Sequence, residues 1–563
     1  MLFRSRATGT DQLVRGQASY LVAADHGGSR ASLSRLTQRV VDILAEKFGA
    51  CLLLEVLPLD SSPAEGDAEE SETMQRPRFR VVAARSEKAQ LDATVQRLRR
   101  ALSGIRVQRR RAEVRVEYVS ERAFQRRHPL LSARRAEELG CLRLSLEVAP
   151  IYHDAREQTQ YPVVLRALHR GVSRALKRAA YEFTRTNTTQ RPANYNVLGR
   201  RAVVKAVWEA DRRLAAINEE IEFLLLVTPT NVRQAWSQFK RDRYERAPRF
   251  DYRPLPIDPD LARRQLYGIP VERIEDPALA WLFGLKRDEL ARQVTMLADR
   301  GTPSFLYGSL QVYGRPGDRL LETARTILAQ PGPRGRRARG EPCLTAADVA
   351  ARAEDEFDYY RQRLPAFDAQ VETRDDVTGV QVSRDRLLLG ADLTVRATRV
   401  TALLQHEVGT HLVTYGNGRA QPLRLLQYGL AGYDRLQEGL ALVGEYLAGG
   451  LTLSRLRTLA ARVIAAGCVV DGADLVETFR VLTRDHGLAR HAAFNVACRL
   501  HRSGGLTKDV VYLDGLMGLL SYLHNGGAMA PLLVGKIALD QVPLIRELLA
   551  RRVIQPAAVF PRY

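Results

Sequence analysis

The 563-residue chain contains only five cysteines, and none of them stands in a C-x-x-C pair. Cys51, Cys141, Cys343, Cys468 and Cys498 are scattered and odd in number, which argues against a disulfide framework and against a cysteine-built zinc site. They are expected to be reduced, buried thiols. Long apolar runs are also missing: no stretch approaches the ~20 residues of a membrane-spanning helix, and the start, MLFRSRATGTDQLVRGQ, lacks the apolar core of a secretion signal. The expectation is a soluble, cytoplasmic protein with no membrane partner. No internal repeat is visible, and no helix-turn-helix, zinc-finger or RNA-binding signature.

Acidic charge falls short of basic charge. Against 85 Lys and Arg stand 64 Asp and Glu, a net charge of +21 carried mostly by arginine. Such a field attracts acidic partners, whether a nucleic acid or an acidic peptide tail, although arginines spread over solvated faces produce the same sum. Charge alone gives only salt-sensitive, nonspecific affinity for nucleic acid, so nucleic acid is not the expected partner. With 45% hydrophobic and 26% charged residues, the composition is that of a folded globular protein.

Up to about residue 190 the pattern alternates strands and helices. ASYLVAA, CLLLEVLPL, RFRVVAA, VRVEYV and LRLSLEV read as strands, and SLSRLTQRVVDILAEKF carries apolar residues at helical spacing. This predicts an N-terminal α/β domain over 1–190, of open role. The acidic segment 61–77, without aromatics, reads as a loop, and His26 in ADHGG as a structural histidine. From LGRRAVVKAVWEADRRLAAINEEIEFLLLV onward the period is helical, with Thr230 or Asn231 as a cap before VRQAWSQF. FDYRPLPIDPD must be an extended connection, and AQPGPRGRRARGEPC (329–343) an exposed loop. The overall fold class is therefore α+β, the second domain (191–563) being mainly helical.

The chemistry concentrates in LLQHEVGTHLVTYGNG (403–418). His406 and His411 can supply two metal ligands, and Glu407 can accept a proton from a bound water. The histidines stand five residues apart. At about 100° per residue a straight α-helix leaves two such rings about 140° apart, so one α-helix cannot direct both to one ion. A local i→i+5 turn restores the geometry, and Gly409 inside the motif would ease that distortion. Downstream, RLQEGLALVGEYL is an apolar helix with Glu438 and Glu445 seven residues apart on one face. A buried carboxylate needs compensation, and a metal cation provides it; Glu438 is the better third ligand. A histidine pair followed some thirty residues on by an inward glutamate is a zinc-peptidase arrangement, with the core at about 370–530.

The strings LLQHEVGTHLVTYGNG, GLAGYDRLQEGLA, GGLTKDVVYLDGL and FLLLVTPTNVRQAW resemble the microtubule-associated tyrosine carboxypeptidases, whose bacterial members are described as flavohaemoglobin expression-modulating proteins with a QEGLA motif. The resemblance spans about 198–563; the first part of the chain is similar to the extensions of bacterial members. It implies a zincin-like carboxypeptidase domain holding one Zn2+ per chain through His406, His411 and Glu438, with Glu407 as general base. It also implies a peptide or protein C-terminus as substrate, an acidic one suiting the basic surface. Eukaryotic relatives trim tubulin; for a bacterial chain another C-terminus is expected.

An oxyanion donor could come from Tyr415, His501 or Tyr512. A carboxylate acceptor could come from Arg499, Arg502 or Lys508 in CRLHRSGGLTKD. VTGVQVSRDRLLLG alternates like an edge strand over 380–389, suited to pairing with an extended substrate. The competing reading is a non-catalytic regulatory protein whose metal is structural, with Glu445, His486 or His491 closing a fourth position.

Overall fold

The computed structural model describes residues 2–5, 9–24, 30–59, 76–85, 89–154, 159–199, 203–331 and 342–563. His26, most of 61–77 and most of 329–343 lie outside the described residues. The chain is α+β and mainly helical, and it divides into two compact units. Among the described residues no helix is long and apolar enough to cross a membrane.

The first unit comprises Met1–Lys205, Glu272–Trp281 and Glu547–Val553. Its sheet contains β1 (Leu2–Ser5), β2 (Leu21–Ala24), β3 (Cys51–Pro58), β4 (Arg78–Ala84), β5 (Glu113–Val119) and β6 (Cys141–Val148). The spatial order is β2-β1-β3-β6-β4-β5. All neighbours run parallel except β4 and β6. Helices α1 (Arg30–Phe48), α2 (Ala89–Ser103) and α3 (Pro162–Asn187) complete the frame. From α2 and α3, Leu98, Leu102, Leu168, Val172 and Leu176 meet Val56, Val81 and Leu146 of the sheet in one core.

Strand β6 is buried along its whole length although it alternates polar residues, and each charge on it has a partner. Arg143 donates to Gln125 Oε1 at 2.8 Å and to the Leu131 carbonyl at 3.0 Å. Glu147 accepts from Arg80 Nε at 2.7 Å. Cys51 and Cys141 face each other in register on β3 and β6 and are buried, as is Cys498. Cys343, expected to be buried, is exposed, because it opens a short strand, Cys343–Thr345, whose pairing with Thr394–Arg396 leaves it uncovered.

Arg551 ties the two late segments into this unit. Its guanidinium pairs with Asp276 and lies 3.1 Å from Glu547 Oε1, which also pairs with Lys177. Arg551 is 2% exposed and Asp276 8%. Burial raises the Asp276 carboxyl, but the adjacent Arg551 outweighs it and holds the group below the usual carboxylate range. Truncating one member of a buried ion pair strands the other charge and costs about 3–5 kcal/mol. Arg551→Ala is therefore expected to lower stability by about that amount, measured as a shift of the urea midpoint at unchanged slope. A loss below about 1 kcal/mol would mean that water replaces the guanidinium.

The second unit comprises Ala206–Val271, Leu282–Arg546 and Ile554–Tyr563. The helix Val232–Arg241 has Asn231 at its N-cap position, but the Asn231 side chain does not cap it. It crosses instead to the 249–251 segment, donating to the Arg249 carbonyl and accepting from Asp251 N, both at 3.0 Å.

The sheet near the histidine motif contains β7 (Gln370–Arg374), β8 (Val380–Ser383) and β9 (Arg386–Gly390), ordered β7-β9-β8. The single strand expected over 380–389 is thus a hairpin: Arg384 takes φ 57° and reverses the chain, so β8 and β9 pair antiparallel. β8 therefore lies at one outer edge of this sheet and β7 at the other.

Leu387 and Leu389 of β9 share a core with Phe357, Tyr360, Val400, Leu404, Val408 and Leu412. That core joins the sheet to α4 (Ala397–His406), a π-helical turn (Glu407–Leu412) and α5 (Val413–Arg419). There follow α6 (Asp434–Leu447), α7 (Leu453–Val470), α8 (Arg490–His501) and α9 (Val511–His524). Helix α6 packs against both α4 and α9. The approach to α9 depends on two glycines: a Cβ on Gly439 would lie 2.6 Å from the Gly515 carbonyl oxygen, and one on Gly515 would lie 1.9 Å from that of Arg435. The helices can meet backbone to backbone only without those carbons, and this contact sets the depth of the neighbouring Glu438.

Candidate metal centre

The five-residue spacing of the histidines is accommodated by the π turn that begins immediately after His406. An i→i+5 pattern turns the two rings toward one another, and their centroids lie 5.1 Å apart at 77°. Gly409 does not take a positive φ, so unusual dihedrals are not its contribution. A Cβ there would stand 2.5 Å from Gln405 Oε1; the glycine makes room for that buried carboxamide.

Glu438 enters from α6. Its Oε2 lies 3.5 Å from His406 Nε2 and 3.8 Å from His411 Nε2. Three ligands around one tetrahedral ion at 2.0–2.1 Å stand about 3.3 Å from each other, so the set needs only a small inward movement to share a cation. Glu438 Oε2 is buried and has no hydrogen-bond partner among the described residues. A negatively charged oxygen left in that state is costly, and a divalent ion between it and the two imidazoles removes the cost. The residues present therefore fit a metal of the zinc type. Glu407 also approaches both histidines, with ligand atoms within 4.8 Å of one another. The carboxylate oxygen within 4 Å of both Nε2 atoms is that of Glu438.

The outer partners are well defined. His406 Nδ1 lies 2.8 Å from Glu445 Oε1, an arrangement that places the proton on Nδ1 and leaves Nε2 free to ligate. Glu445 in turn accepts from Arg455 at 2.9 and 3.2 Å and lies 3.5 Å from Arg399. It faces the outer nitrogen of His406, so it orients a ligand rather than closing the metal shell. His411 Nδ1 stands 3.4 Å from Gln437 Oε1, which also accepts from Thr414 at 2.8 Å. Lys508 Nζ lies 2.8 Å from Asp434 Oδ1 and 3.8 Å from Glu438 Oε1. The two oxygens of Glu438 are thereby distinguished: Oε1 toward the lysine, Oε2 toward the histidines.

Electrostatics follow from crowding these groups out of water. Burial lowers the His406 pKa, but Glu438 and Glu445 outweigh it and push it up to about 9. Burial raises Glu438, yet the adjacent His406 and the charges of His411 and Lys508 hold it well below the usual range. Burial pushes His411 down to about 4 and Glu407 up to about 7. A cation entering the cluster must displace the His406 proton, so metal uptake releases acid.

The other sequence candidates fall in different places. Tyr512 is half-buried under the Arg462 guanidinium, 4.9 Å from its ring centroid, and its hydroxyl is raised by burial and by the charge of Glu438. Arg499 makes a paired contact with Asp509 at 2.5 and 2.8 Å. Arg502 is buried and donates to Thr228 Oγ1 at 2.8 Å. His501 Nε2 is turned to Thr478 Oγ1 at 2.8 Å. Tyr415 is buried, edge-on to Tyr428 at 6.3 Å, with the Lys536 ammonium 5.2 Å from its ring centroid. His491 packs edge-on against Trp236 at 5.2 Å, and no metal-holding group among the described residues includes it or His486. The sequence reading missed Arg399, Arg455, Gln437 and Lys536. Only Glu445 carried a signal, its seven-residue spacing from Glu438.

The family model for microtubule-associated tyrosine carboxypeptidases matches residues 237–563, more than half of the chain and all of the metal cluster. A solved structure described as a lipoprotein from Colwellia psychrerythraea is similar at 15% identity and a TM-score of 0.31, over 56% of this chain and 72% of that one; a likeness of that size carries no argument. Comparison with curated proteins finds no match.

Proposed function

From the premise that the chain belongs to the microtubule-associated tyrosine carboxypeptidase family, we propose that it is a zinc-dependent carboxypeptidase with a zincin-like site, removing a C-terminal residue from a peptide or protein. The observation that carries this reading is the orphaned Oε2 of Glu438 between two imidazole nitrogens. Zinc held there by His406, His411 and Glu438 would polarise the scissile carbonyl and acidify a water.

The chain's own groups supply the rest. Glu407 takes the proton from the attacking water and returns it to the leaving amine. Its burial raises the carboxyl toward neutrality, which suits a group that must both accept and donate, and the metal's charge would draw it down again. Glu445 and Gln437 keep the imidazoles in the ligating tautomer. Tyr512 keeps its proton under burial and the charge of Glu438, and so is available to donate to the developing oxyanion. Strand β8 packs against the π turn and is paired on one side only, so an extended substrate can add to its outer edge. The excess of basic residues favours an acidic substrate chain.

The test combines elemental analysis with mass-spectrometric scanning of a peptide library of varied C-termini. One zinc per chain, with loss of single C-terminal residues that a chelator stops and added zinc restores, is the expected result. Bound zinc without cleavage of any member would favour a structural metal in a regulatory protein, and absence of zinc would remove the metallopeptidase reading.

A further inference from the structure

We propose that Lys536 receives the terminal carboxylate of the substrate; the inference rests on the carboxypeptidase reading and deepens it. An exopeptidase must distinguish a free C-terminus from the same residue within a chain, and a fixed cation beside the metal does this. Of the cations suggested by the sequence, Lys508 is engaged with Asp434 and Glu438 and Arg499 with Asp509, while Arg502, which donates to Thr228 and has no carboxylate partner among the described residues, is only 4% exposed and too deeply buried to meet a substrate. Arg455 and Arg462 are likewise committed, to Glu445 and to Asp509 with Tyr512. Among the described residues no carboxylate forms an ion pair with Lys536, whose side chain is only partly covered.

Its position is defined by the two ligand-bearing helices. The ammonium stands 5.2 Å from the ring centroid of Tyr415 and 5.9 Å from that of Tyr433. Tyr415 lies one turn beyond His411 on the same helical run, and Tyr433 is the N-cap of α6, which carries Glu438. The charge of Lys536 is felt at both His411 and Glu438. Aromatic faces hold an ammonium in place without neutralising it, leaving its donors for an anion. The backbone beneath is held at both ends: Lys536 N donates to the Leu426 carbonyl at 2.8 Å, and Leu430 N donates to the Lys536 carbonyl at 2.9 Å. At Gly535 a Cβ would stand 2.6 Å from the Leu426 oxygen, so the segment lies flush against that turn. Burial pushes the Lys536 pKa down to about 8 against the opposing charges of Asp434 and Glu438, and an incoming carboxylate would favour its charged form further.

The experiment uses the full chain carrying Glu407→Gln and loaded with zinc, so that bound peptide persists uncleaved. Dansyl-Gly-Glu-Tyr is titrated as the free acid and as the C-terminal amide, and zinc content is checked in every variant. The expected result is a preference for the acid of about tenfold or more, the worth of a charge-assisted contact. Lys536→Met should bring the two affinities within about twofold, while Lys536→Arg keeps the preference. In the cleaving background Lys536→Met should raise KM for the acid more than it lowers kcat. A preference that survives Lys536→Met overturns the assignment and leaves the carboxypeptidase reading standing. Equal or absent binding of acid and amide by the parent overturns the subsite together with that reading.

Discussion

Glu407→Gln is expected to keep one zinc per chain and to lose C-terminal trimming by about 10²–10⁴-fold, the usual contribution of a positioned acid-base group. Glu438→Ala is expected to lose the ion itself. The contrast follows from geometry: Glu438 Oε2 is the carboxylate oxygen that lies 3.5 and 3.8 Å from the two imidazole Nε2 atoms. Elemental analysis and the initial rate on one trimmed peptide measure both effects. If Glu407→Gln loses zinc while Glu438→Ala retains it, the two carboxylates have exchanged roles. If both retain zinc and activity, the cluster is not the active centre.

Glu445 is the second position of large effect, and its failure should be of another kind. Removing an outer partner of a ligating histidine costs about 10–100-fold in metal affinity. Glu445 is also 1% exposed and is the shared partner of Arg455 and Arg399, so Glu445→Ala leaves two guanidinium groups without their carboxylate. Breaking such a pair costs about 3–5 kcal/mol. Zinc competition against a chelator and urea unfolding of the metal-free protein separate the two losses. Glu445→Gln keeps an acceptor for His406 Nδ1–H but not the charge, and should recover more of the zinc affinity than of the stability. Unchanged zinc affinity in Glu445→Ala would reduce the residue to a structural ion-pair member.

Local patterns were read with most success where one element carries its own reason. LRLSLEV and CLLLEVLPL are strands because branched and apolar residues fill a sheet interior. The widened turn after His406 was required by the angular mismatch of a five-residue step and is present as a π turn. Segment 380–389 misled because Arg384, a residue with no special turn preference, takes φ 57° and breaks an unbroken alternation. Asn231 marks the helix start as expected, but its side chain bonds across a loop rather than to its own helix end.

What the sequence by itself determined is the chemistry within reach of a single segment: the histidine pair, the adjacent Glu407, the face shared by Glu438 and Glu445, and the family. Those depend on spacing within short helical segments, whose rise and rotation follow from the backbone hydrogen-bond pattern, α or π. Only the tertiary structure decided which cations remain available, because that depends on partners distant in sequence. Arg499 lies ten residues from the carboxylate that occupies it. Lys508 meets Asp434 and Glu438 from about seventy residues away, and Lys536 reaches Tyr415 and Tyr433 from farther still. Whether a charge is free is a property of the space around it, and folding brings that space together from separate parts of the chain.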